Sequence, residues 1–587
     1  MKLIRFLLGV CPLYITLIDD VFAAKNNHCP PLGPVLPAPT NPSSNPAVQS
    51  AVSALQQTFD GITENFNGTA LSIGVKSIHE TASFANVHYT PPILDPRGSS
   101  HIDSSTVYRI GSVSKLILMV ALKTTGVRWE DPVTNYLPRL RELKKQQSSP
   151  IDRMTTVDWD DITVWALATH TSGIGSDLIL DMGSFPVDWT KLGLPPAREH
   201  FNCGVLDGLP PCQEKDFWDN FGKRYPVFSP YTSPLYSNTA FYILSLVVQA
   251  IAGYSYSQYV QKHILEPLGM RDTTFAKPND TLGAISLNDT FWDATLGIDD
   301  PAGGFYSSTH DLLTLGEAIL TNKFSSPTQT HRWLGPATLT SSIGMFVGAP
   351  WEIIRADNVT LDQRLVEFYT KGGDGGTYHA MFAVVPDYDL VISILASGPE
   401  SSSNLVQQLF SQVITTLLPA VEAAGKDEAR SAFAGTYVNE ETNSTITLSV
   451  DDEGPGLNIT NWIVRGTDVP SHWLNYTSGI SSGFSNTHVS TRLYPTGLTN
   501  GSRTAWRVAV DLGTPEEIAQ ADAQLFWPQA NCMTWITMDR LVYEYRALDE
   551  MIFDLVLGDS DVEANVELVG FQTTLQRITP FQNLREL

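Results

Sequence analysis

A serine and a lysine stand three residues apart in Ile110-Gly111-Ser112-Val113-Ser114-Lys115, directly before a strongly apolar stretch. On a helix this spacing places Ser112 and Lys115 on the same face, one turn apart. A serine hydroxyl becomes a good nucleophile when a base takes its proton, and a lysine can be that base if burial or nearby positive charge keeps it neutral. The alternative is a helix-capping serine beside a lysine that reaches solvent. Because this is the only Ser-x-x-Lys in the chain and an apolar helix should follow it, we favour a nucleophile and its base.

Two further short motifs could complete such a site. Tyr236-Ser237-Asn238 precedes a second apolar helix, and Lys371-Gly372-Gly373 precedes a strand-rich stretch. A tyrosine can relay a proton when a cation stabilises its phenolate, an asparagine can hydrogen-bond a substrate amide, and glycines let a substrate approach the backbone. Each motif alone is weak, because Tyr437-Val438-Asn439 and Lys191-Leu192-Gly193 have the same form. The order of the motifs along the chain makes the first set informative.

In this order, Ser-x-x-Lys, Tyr-x-Asn and Lys-x-Gly resemble the motifs of the penicillin-recognising serine hydrolases, specifically the class C β-lactamase, D-alanyl-carboxypeptidase and related esterase branch. The resemblance covers roughly residues 48 to 420, and the segment beyond looks like a β domain carried by secreted fungal members. Further motifs in the family order are Tyr108-Arg109-Ile110-Gly111, Glu130-Asp131-Pro132-Val133, Tyr136-Leu137-Pro138, Thr169-His170-Thr171-Ser172-Gly173, Pro267-Leu268-Gly269-Met270, Ala302-Gly303-Gly304 and Ser308-Thr309-His310-Asp311.

The resemblance implies the catalytic roles. Ser112 would be the acylated nucleophile, and Lys115 and Tyr236 would form the general-base network. Asn238 would contact the substrate or Lys115. The resemblance therefore implies a β-lactamase/transpeptidase-like fold of the α/β (α+β) class, in which an antiparallel sheet is flanked by a helical cluster.

The resemblance also implies the substrate-binding side of the cleft. Lys371 would lie opposite the nucleophile on an edge strand, with Gly373 beside it. The backbone N–H groups of Ser112 and of Asp374, the residue after Lys-Gly-Gly, would form the oxyanion hole. His170 would serve packing or hydrogen bonding.

The chain departs from the family pattern in three places. Gly372 stands where β-lactamases usually have Thr or Ser, which removes a hydroxyl that helps to bind a substrate carboxylate and weakens the β-lactam interpretation. The interval between the nucleophile and Asp131 is shorter than in relatives by about one helical turn. The segment from residue 175 to 230 is long and rich in aromatic residues, and we expect it to overhang the cleft and to set specificity.

The N-terminus predicts export. Lys2 and Arg5 precede an apolar run that ends at a small-residue site, Val21-Phe22-Ala23-Ala24, so residues 1–24 are predicted to be a signal peptide. No later stretch is apolar and long enough to span a membrane, and we expect a secreted protein that does not associate with one. Eight Asn-x-Ser/Thr sequons support export as predicted glycosylation sites: Asn67, Asn279, Asn288, Asn358, Asn443, Asn458, Asn475 and Asn500.

Four cysteines remain after the predicted signal peptide, an even number suited to an oxidising compartment. Three pairings are possible. We favour Cys203 with Cys212, which would close a short loop, and Cys29 with Cys532, which would join the N-terminal arm to the C-terminal domain. The cysteines have no metal-binding spacing, and no metal or cofactor is expected.

The composition limits the kinds of binding partner that the protein can have. The 587 residues carry a formal net charge of −25, which would repel nucleic acid and anionic lipid surfaces. Only 17% of residues are charged, against roughly 25% in an average soluble chain, which agrees with a surface covered partly by sugar. We expect a monomer that acts on a small-molecule substrate.

The chain divides into four parts. Residues 25–46, rich in Pro, Asn and Ser, follow the signal peptide as an extended arm, and residues 47–422 form the hydrolase domain. Residues 420–432 are predicted to be a linker or the end of a helix. Short strand-like runs separated by turn residues predict an antiparallel β domain at 433–587.

The expected activity is serine hydrolysis of an ester, lactone or amide through an acyl-enzyme. Acyl transfer to an alcohol, true β-lactam or D-amino-acid peptide hydrolysis, and a non-catalytic binding role are the alternatives. Gly479-Ile480-Ser481-Ser482-Gly483 matches the nucleophile elbow of another hydrolase fold, but no acid stands between Ser481 and His488, the only later histidine. We therefore predict that this segment is a loop.

Overall fold

The structure is a computed structural model that describes residues 28–143, 152–199, 202–204, 209–477, 488–527, 529, 532–557 and 562–580. The expected signal peptide and the Gly-x-Ser-x-Gly motif at 479–483 lie outside the described residues.

An antiparallel sheet forms the centre of the first domain. The strands of this domain are β1 (Ala70–Ser77), β2 (Ala85–Tyr89), β3 (Val107–Arg109), β4 (Tyr306–Ser308), β5 (Thr338–Leu339), β6 (Met345–Val347), β7 (Glu352–Ala356), β8 (Val366–Gly375), β9 (Tyr378–Val385) and β10 (Leu390–Ser397). Eight of them form one sheet in the order β2-β1-β10-β9-β8-β7-β6-β5, and β3 pairs with β4 separately. Strands from both ends of the domain therefore meet in one sheet.

Helices cover both faces of this sheet. They are α1 (Pro46–Thr63), α2 (Ser114–Thr125), α3 (Val164–Ala168), α4 (Glu214–Asn220), α5 (Asn238–Ala252), α6 (Tyr256–Val260), α7 (Glu266–Leu268), α8 (Asp300–Gly303), α9 (Thr309–Leu320), α10 (Pro327–Leu334) and α11 (Ser403–Phe433). Alternate residues of a strand point to opposite faces. Leu71 and Ile73 of β1 pack in the core that α1 and α11 share, whereas a Cβ added to Gly74 would lie 2.5 Å from Thr309 Cγ2 of α9. The sheet is thus buried on both sides, and the expected α/β class is confirmed.

The second domain is a closed antiparallel barrel. Its elements are β11 (Gly435–Asn439), β12 (Ser444–Ser449), β13 (Leu457–Val464), β14 (Thr467–Asp468), α12 (Val469–Thr477), β15 (Val489–Asn500), β16 (Arg503–Leu512), α13 (Pro515–Asp522), α14 (Thr534–Thr537), β17 (Val542–Tyr543), β18 (Arg546–Ala547), β19 (Glu550–Leu557), β20 (Val562–Leu568) and β21 (Thr573–Pro580). The order β12-β11-β21-β20-β19-β16-β15-β13 closes because β12 also pairs with β13. Closure removes the free sheet edges, and Trp462, Trp506 and Phe553 fill the interior.

The helix α11 joins the two domains. Residues 420–432, for which a linker or a helix end was expected, are the last turns of this helix. Glu422 of α11 accepts hydrogen bonds from Arg364 and Tyr388 of the first domain, and Lys426 lies 3.1 Å from Asp452 of the barrel. Ion pairs to both sides make the connection rigid rather than a flexible linker.

The N-terminal arm is attached to α11 and to the barrel domain. Thr40 donates through its backbone N–H and its hydroxyl to Glu428 on α11. Cys29 forms a disulfide with Cys532 of the barrel domain, and this is the pairing favoured from the sequence. Among the described residues, no single helix is long and apolar enough to cross a membrane; α5 and the helix Tyr256–Leu268 pass the length and composition test only as a pair that is bent by 71°.

Candidate active site

Ser112 and Lys115 lie where the sheet meets the first buried helix. Ser112 belongs to the 3-10 turn Gly111–Val113, and Lys115 is in the first turn of α2. Residues 114–122 of this helix are all buried, which carries Lys115 into the interior, where it is 0% exposed. Lys115 Nζ lies 2.9 Å from Ser112 Oγ, as the spacing predicts.

The environment of Lys115 favours a base. Its Nζ also lies 2.7 Å from Asn238 Oδ1 and 2.8 Å from the carbonyl oxygen of Ala302. Burial lowers the pKa of the Lys115 ammonium, and the positive charge of Lys371 acts in the same direction. A buried lysine with a lowered pKa can accept the proton of the serine hydroxyl.

Tyr236 lies beside both lysines. Lys115 Nζ is 4.9 Å from the centre of the Tyr236 ring. Lys371, which is in β8, places its Nζ 5.1 Å from the same ring centre. Burial acts to raise the pKa of the Tyr236 phenol, but the charges of Lys115 and Lys371 outweigh it and bring that pKa below its ordinary value. The phenol is therefore suited to share a proton with Lys115 and Ser112.

His170 fixes the position of Tyr236. The two rings are stacked with centres 4.4 Å apart, and His170 Nδ1 accepts a hydrogen bond from the backbone N–H of Ser237. Burial holds the pKa of His170 well below its ordinary value, so the ring is neutral. His170 has the packing and hydrogen-bonding role that the resemblance implies.

Asn238 connects Lys115 to an acidic residue that the sequence did not reveal. Asn238 is the first residue of α5, which begins there because the Ser237 hydroxyl accepts from the backbone N–H of Ala240. Its Oδ1 accepts from Lys115, and its Nδ2 donates to Asp177 Oδ1 at 2.8 Å. Asp177 therefore orients the amide so that its oxygen points at Lys115.

The strand β8 carries Lys371 opposite the nucleophile. The expected edge position needs a correction, because β8 lies inside the sheet between β9 and β7. The pairing with β7 ends at Thr370, so within the described part of the chain no strand pairs with the outer side of β8 from Lys371 onwards. The edge is local, and it arises because β7 is shorter than β8.

Lys371 is paired with a glutamate on β7. Lys371 Nζ lies 2.5 Å from Glu352 Oε1, and the backbone N–H of Gly372 donates to Glu352 Oε2 at 2.9 Å. Burial acts to lower the pKa of Lys371, but the charges of Glu352 and Tyr236 raise it above its ordinary value. Lys371 is thus a stable cation, in contrast to Lys115. The sequence contains no short motif that points to Glu352.

The backbone of β8 touches the turn that carries the nucleophile. A Cβ added to Gly373 would lie 2.1 Å from the carbonyl oxygen of Ile110 and 3.0 Å from the amide nitrogen of Ser112. Gly111 has a φ of +50°, and a Cβ there would lie 2.5 Å from the amide nitrogen of Asp374. Only glycine fits at both positions. The amides of Ser112 and Asp374 are therefore brought together, as an oxyanion hole requires.

A buried carboxyl lies near Lys115 without a hydrogen-bond partner. Asp299 is 3% exposed, and neither of its carboxyl oxygens has a partner among the described residues. Burial and the negative charge of Asp177 raise the pKa of Asp299, while the positive charge of Lys115 lowers it; the resulting pKa is about 7. No sequence motif singles out this residue.

The described part of the segment 175–230 begins at the site. Ser176 accepts a hydrogen bond from the backbone N–H of Thr239, and the next residue is Asp177. Further along, Cys203 and Cys212 form the second disulfide, as favoured from the sequence. The carbonyl oxygen of Cys212 accepts from the N–H of Ile298, next to Asp299. The segment is thus attached beside the site at two points.

The asparagines of the predicted glycosylation sites lie at or near the surface. Seven of the sequon asparagines are exposed, and Asn458 is half-buried.

Among the described residues, Asp272, His310 and Asp311 place ligand atoms within 4.8 Å of one another. The Asp311 carboxylate accepts from the N–H of Asp272 and the hydroxyl of Thr273, so it holds the start of α9 in place.

Comparisons with known proteins show the family of the chain. Residues 81–409 match the family model "Beta-lactamase", and residues 425–579 match the model "Beta-lactamase-like-like, C-terminal domain". A "Beta-lactamase-like protein" of Arthroderma benhamiae is 30% identical over 93% of this chain and 95% of its own length. A "Probable hydrolase M10" of Phoma sp. is 28% identical over 79% of this chain and 77% of its own. The crystal structure of a class C β-lactamase from Rhodobacter sphaeroides has a TM-score of 0.45 and 20% identity, over 63% of this chain and 99% of that one.

The chain belongs to the β-lactamase family of serine hydrolases, and it carries the C-terminal domain of the β-lactamase-like proteins. The fold and the family expected from the order of its motifs are confirmed.

Proposed function

We propose that the protein is a secreted, monomeric serine hydrolase that cleaves an ester, lactone or amide of a small molecule through an acyl-enzyme on Ser112. The observation that carries the proposal is the 2.9 Å contact between Ser112 Oγ and a fully buried Lys115 Nζ. The relative of Phoma sp. that is named a probable hydrolase supports the reaction type. Two disulfides support an oxidising compartment outside the cell.

The first half of the reaction forms the acyl-enzyme. The Lys115 amine, with Tyr236 beside it, takes the proton of Ser112 as Ser112 Oγ attacks the carbonyl carbon of the substrate. The amides of Ser112 and Asp374 stabilise the negative charge that develops on the carbonyl oxygen. The tetrahedral intermediate then expels the alcohol or amine, which leaves with the proton held by Lys115 and Tyr236.

The second half releases the acyl group. A water molecule gives its proton to the same Lys115 and Tyr236 pair and attacks the acyl carbon, and the proton returns to Ser112 Oγ as the acid departs. Asn238 keeps Lys115 in place in both halves, because Asp177 holds the amide from its other end. An alcohol in place of water would give acyl transfer by the same steps.

Turnover of a panel tests the proposal. Wild type, Ser112→Ala and Ser481→Ala are assayed with chromogenic esters, lactones, D-amino-acid peptides and β-lactams. We expect ester or lactone turnover by wild type and Ser481→Ala and its loss in Ser112→Ala. Turnover that persists in Ser112→Ala and disappears in Ser481→Ala would place the nucleophile elsewhere.

Product analysis with added alcohols separates hydrolysis from acyl transfer. We expect the free acid as the main product. An ester of the added alcohol as the main product would make the protein an acyltransferase. Absence of turnover with every compound, together with measurable binding, would identify a binding protein instead.

A further inference from the structure

Glu352 lies against Lys371, the cation that β8 places opposite the nucleophile. Its Oε1 lies 2.5 Å from Lys371 Nζ, and its Oε2 accepts from the N–H of Gly372. The Glu352 side chain is 28% exposed and that of Lys371 only 2%, so the carboxylate covers the cation from the open side. The positive charge of Lys371 is thus already neutralised within the protein.

The absence of a side chain at position 372 belongs to the same arrangement. A Cβ at Gly372 would lie 3.4 Å from Glu352 Oε2, so a longer side chain there would compete with the carboxylate for space. Gly372 also offers no hydroxyl that could bind a substrate carboxylate. The two residues together remove both groups, a free cation and a hydroxyl, that would attract an anion.

Further carboxylates lie around the nucleophile. Asp374 follows the two glycines in β8 and is 56% exposed, and Asp177 stands behind Asn238. His379 Nε2 lies 3.7 Å from Asp374, but burial lowers the pKa of this histidine. A carboxylate on the substrate would therefore approach Glu352 and Asp374, and among the described residues the cation of this side of the cleft, Lys371, is already paired. Like charges brought together in a partly desolvated cleft repel each other strongly.

We propose that Glu352 is a specificity-determining residue that makes this site select uncharged esters or lactones and reject compounds with a carboxylate near the scissile bond. The inference rests on the proposed function, because it concerns the acyl compounds that Ser112 attacks. It excludes β-lactam antibiotics and peptides with a free terminal carboxylate as good substrates.

A matched pair of substrates isolates this effect. Meta-acetoxybenzoic acid and methyl meta-acetoxybenzoate have the same scissile acetate ester and differ in one carboxylate on the leaving group. The quantity measured is the ratio of kcat/KM for the acid to kcat/KM for the methyl ester, from chromatography of the released phenol. For wild type, we expect a ratio of about 0.1 or less, because the acid should react at least tenfold more slowly; tenfold corresponds to about 1.4 kcal/mol. A wild-type ratio of one or more would refute the inference.

The variant Glu352→Gln removes the charge and keeps the shape. We expect its ratio to rise at least roughly tenfold above that of wild type. Any general loss of rate affects both substrates and cancels in the ratio. Glu367→Gln is the matched control, because Glu367 also forms a cross-strand ion pair between β8 and β7, 3.0 Å from Arg355, but lies four residues before Lys371. Its ratio should equal that of wild type.

Labelling with a fluorophosphonate distinguishes failure of the inference about Glu352 from failure of the proposed function. If wild type and Glu352→Gln are both labelled on Ser112 and their ratios are equal, the role of Glu352 is refuted and the proposed function stands. If wild type is neither labelled nor active, the proposed function fails and the inference with it. Should Glu352→Gln not fold, a wild-type ratio of one or more still refutes the inference.

Discussion

Replacing Asp299 by asparagine should change how the stability of the protein depends on pH. Asp299 is buried beside the site, and neither of its oxygens has a hydrogen-bond partner among the residues that the structure describes. Its pKa is raised from an ordinary value of 3.8 to about 7, first by burial and then by the charge of Asp177. Folding therefore works against the ionised form of this carboxyl.

The size of the effect follows from the two pKa values. Well below pH 3.8 the carboxyl is protonated in both the folded and unfolded states, and the raised pKa has no cost. As the pH rises towards 7, the unfolded chain loses the proton first, so the folded state becomes progressively less stable. A rise from 3.8 to about 7, at 1.36 kcal/mol per pH unit, corresponds to about 4 kcal/mol at pH 7 and above.

Thermal unfolding between pH 4 and 8 measures this directly. The Tm of Asp299→Asn minus that of wild type should increase by a few degrees from pH 4 to 7 and then level off. Asp95→Asn is the control, because hydrogen bonding to Arg97 lowers the pKa of Asp95 below 3.8. This carboxyl is ionised in both states above about pH 5, so the Tm difference between this variant and wild type should stay constant from there to pH 8. A Tm difference for Asp299→Asn that does not vary with pH would refute the reasoning.

Two more variants test the catalytic geometry. Lys115→Met removes the base and should reduce kcat/KM for an ester by about a thousandfold. The control is Lys123→Met, because Lys123 lies further along α2 with its Nζ over the Trp333 ring, and this variant should keep the activity. An active Lys115→Met would contradict the assignment of the base. Gly373→Ala should reduce kcat at least about a hundredfold, because its Cβ would push β8 away from the turn of Ser112. Gly61→Ala in α1, where a Cβ has open space, is its control, and full activity in Gly373→Ala would exclude the close contact.

The part of the site that is local in sequence could be predicted. Ser112 and Lys115 are three residues apart on one helical turn, so their contact follows from helix geometry alone. Tyr236 and Lys371 could be chosen over motifs of the same form only through their order. The structure supports that choice, since Tyr437 is buried in the barrel with its hydroxyl donating to the carbonyl of Phe433.

The charged residues around the site could not be predicted, because their contacts are distant in sequence. Asp177 meets Asn238 across 61 residues and Glu352 meets Lys371 across a strand pair, and neither belongs to a short motif. Asp299 is recognised as unusual only from its burial in the folded structure. Isolated acidic residues in a chain with 62 of them carry no signal of their own.

The end of α11 shows where the sequence prediction was incomplete. Residues 420–432 contain many Ala, Glu, Lys and Arg residues, which favour a helix, but Pro419 and Gly425 interrupt the pattern. In the structure the helix continues through both. Gly425 lies where the N-terminal arm crosses α11: a Cβ there would be in ordinary contact with the arm, 3.5 Å from the carbonyl oxygen of Pro37. This glycine therefore does not end the helix, which runs on to Phe433.

The most direct test of the account is the site of covalent modification. Wild type and Ser112→Ala are incubated with a fluorophosphonate, their intact masses are measured, and the modified peptide is sequenced by mass spectrometry. We predict one adduct per wild-type chain, on Ser112, and none on Ser112→Ala. An adduct on another residue, or equal labelling of Ser112→Ala, would contradict the claim that Ser112, activated by Lys115, is the nucleophile.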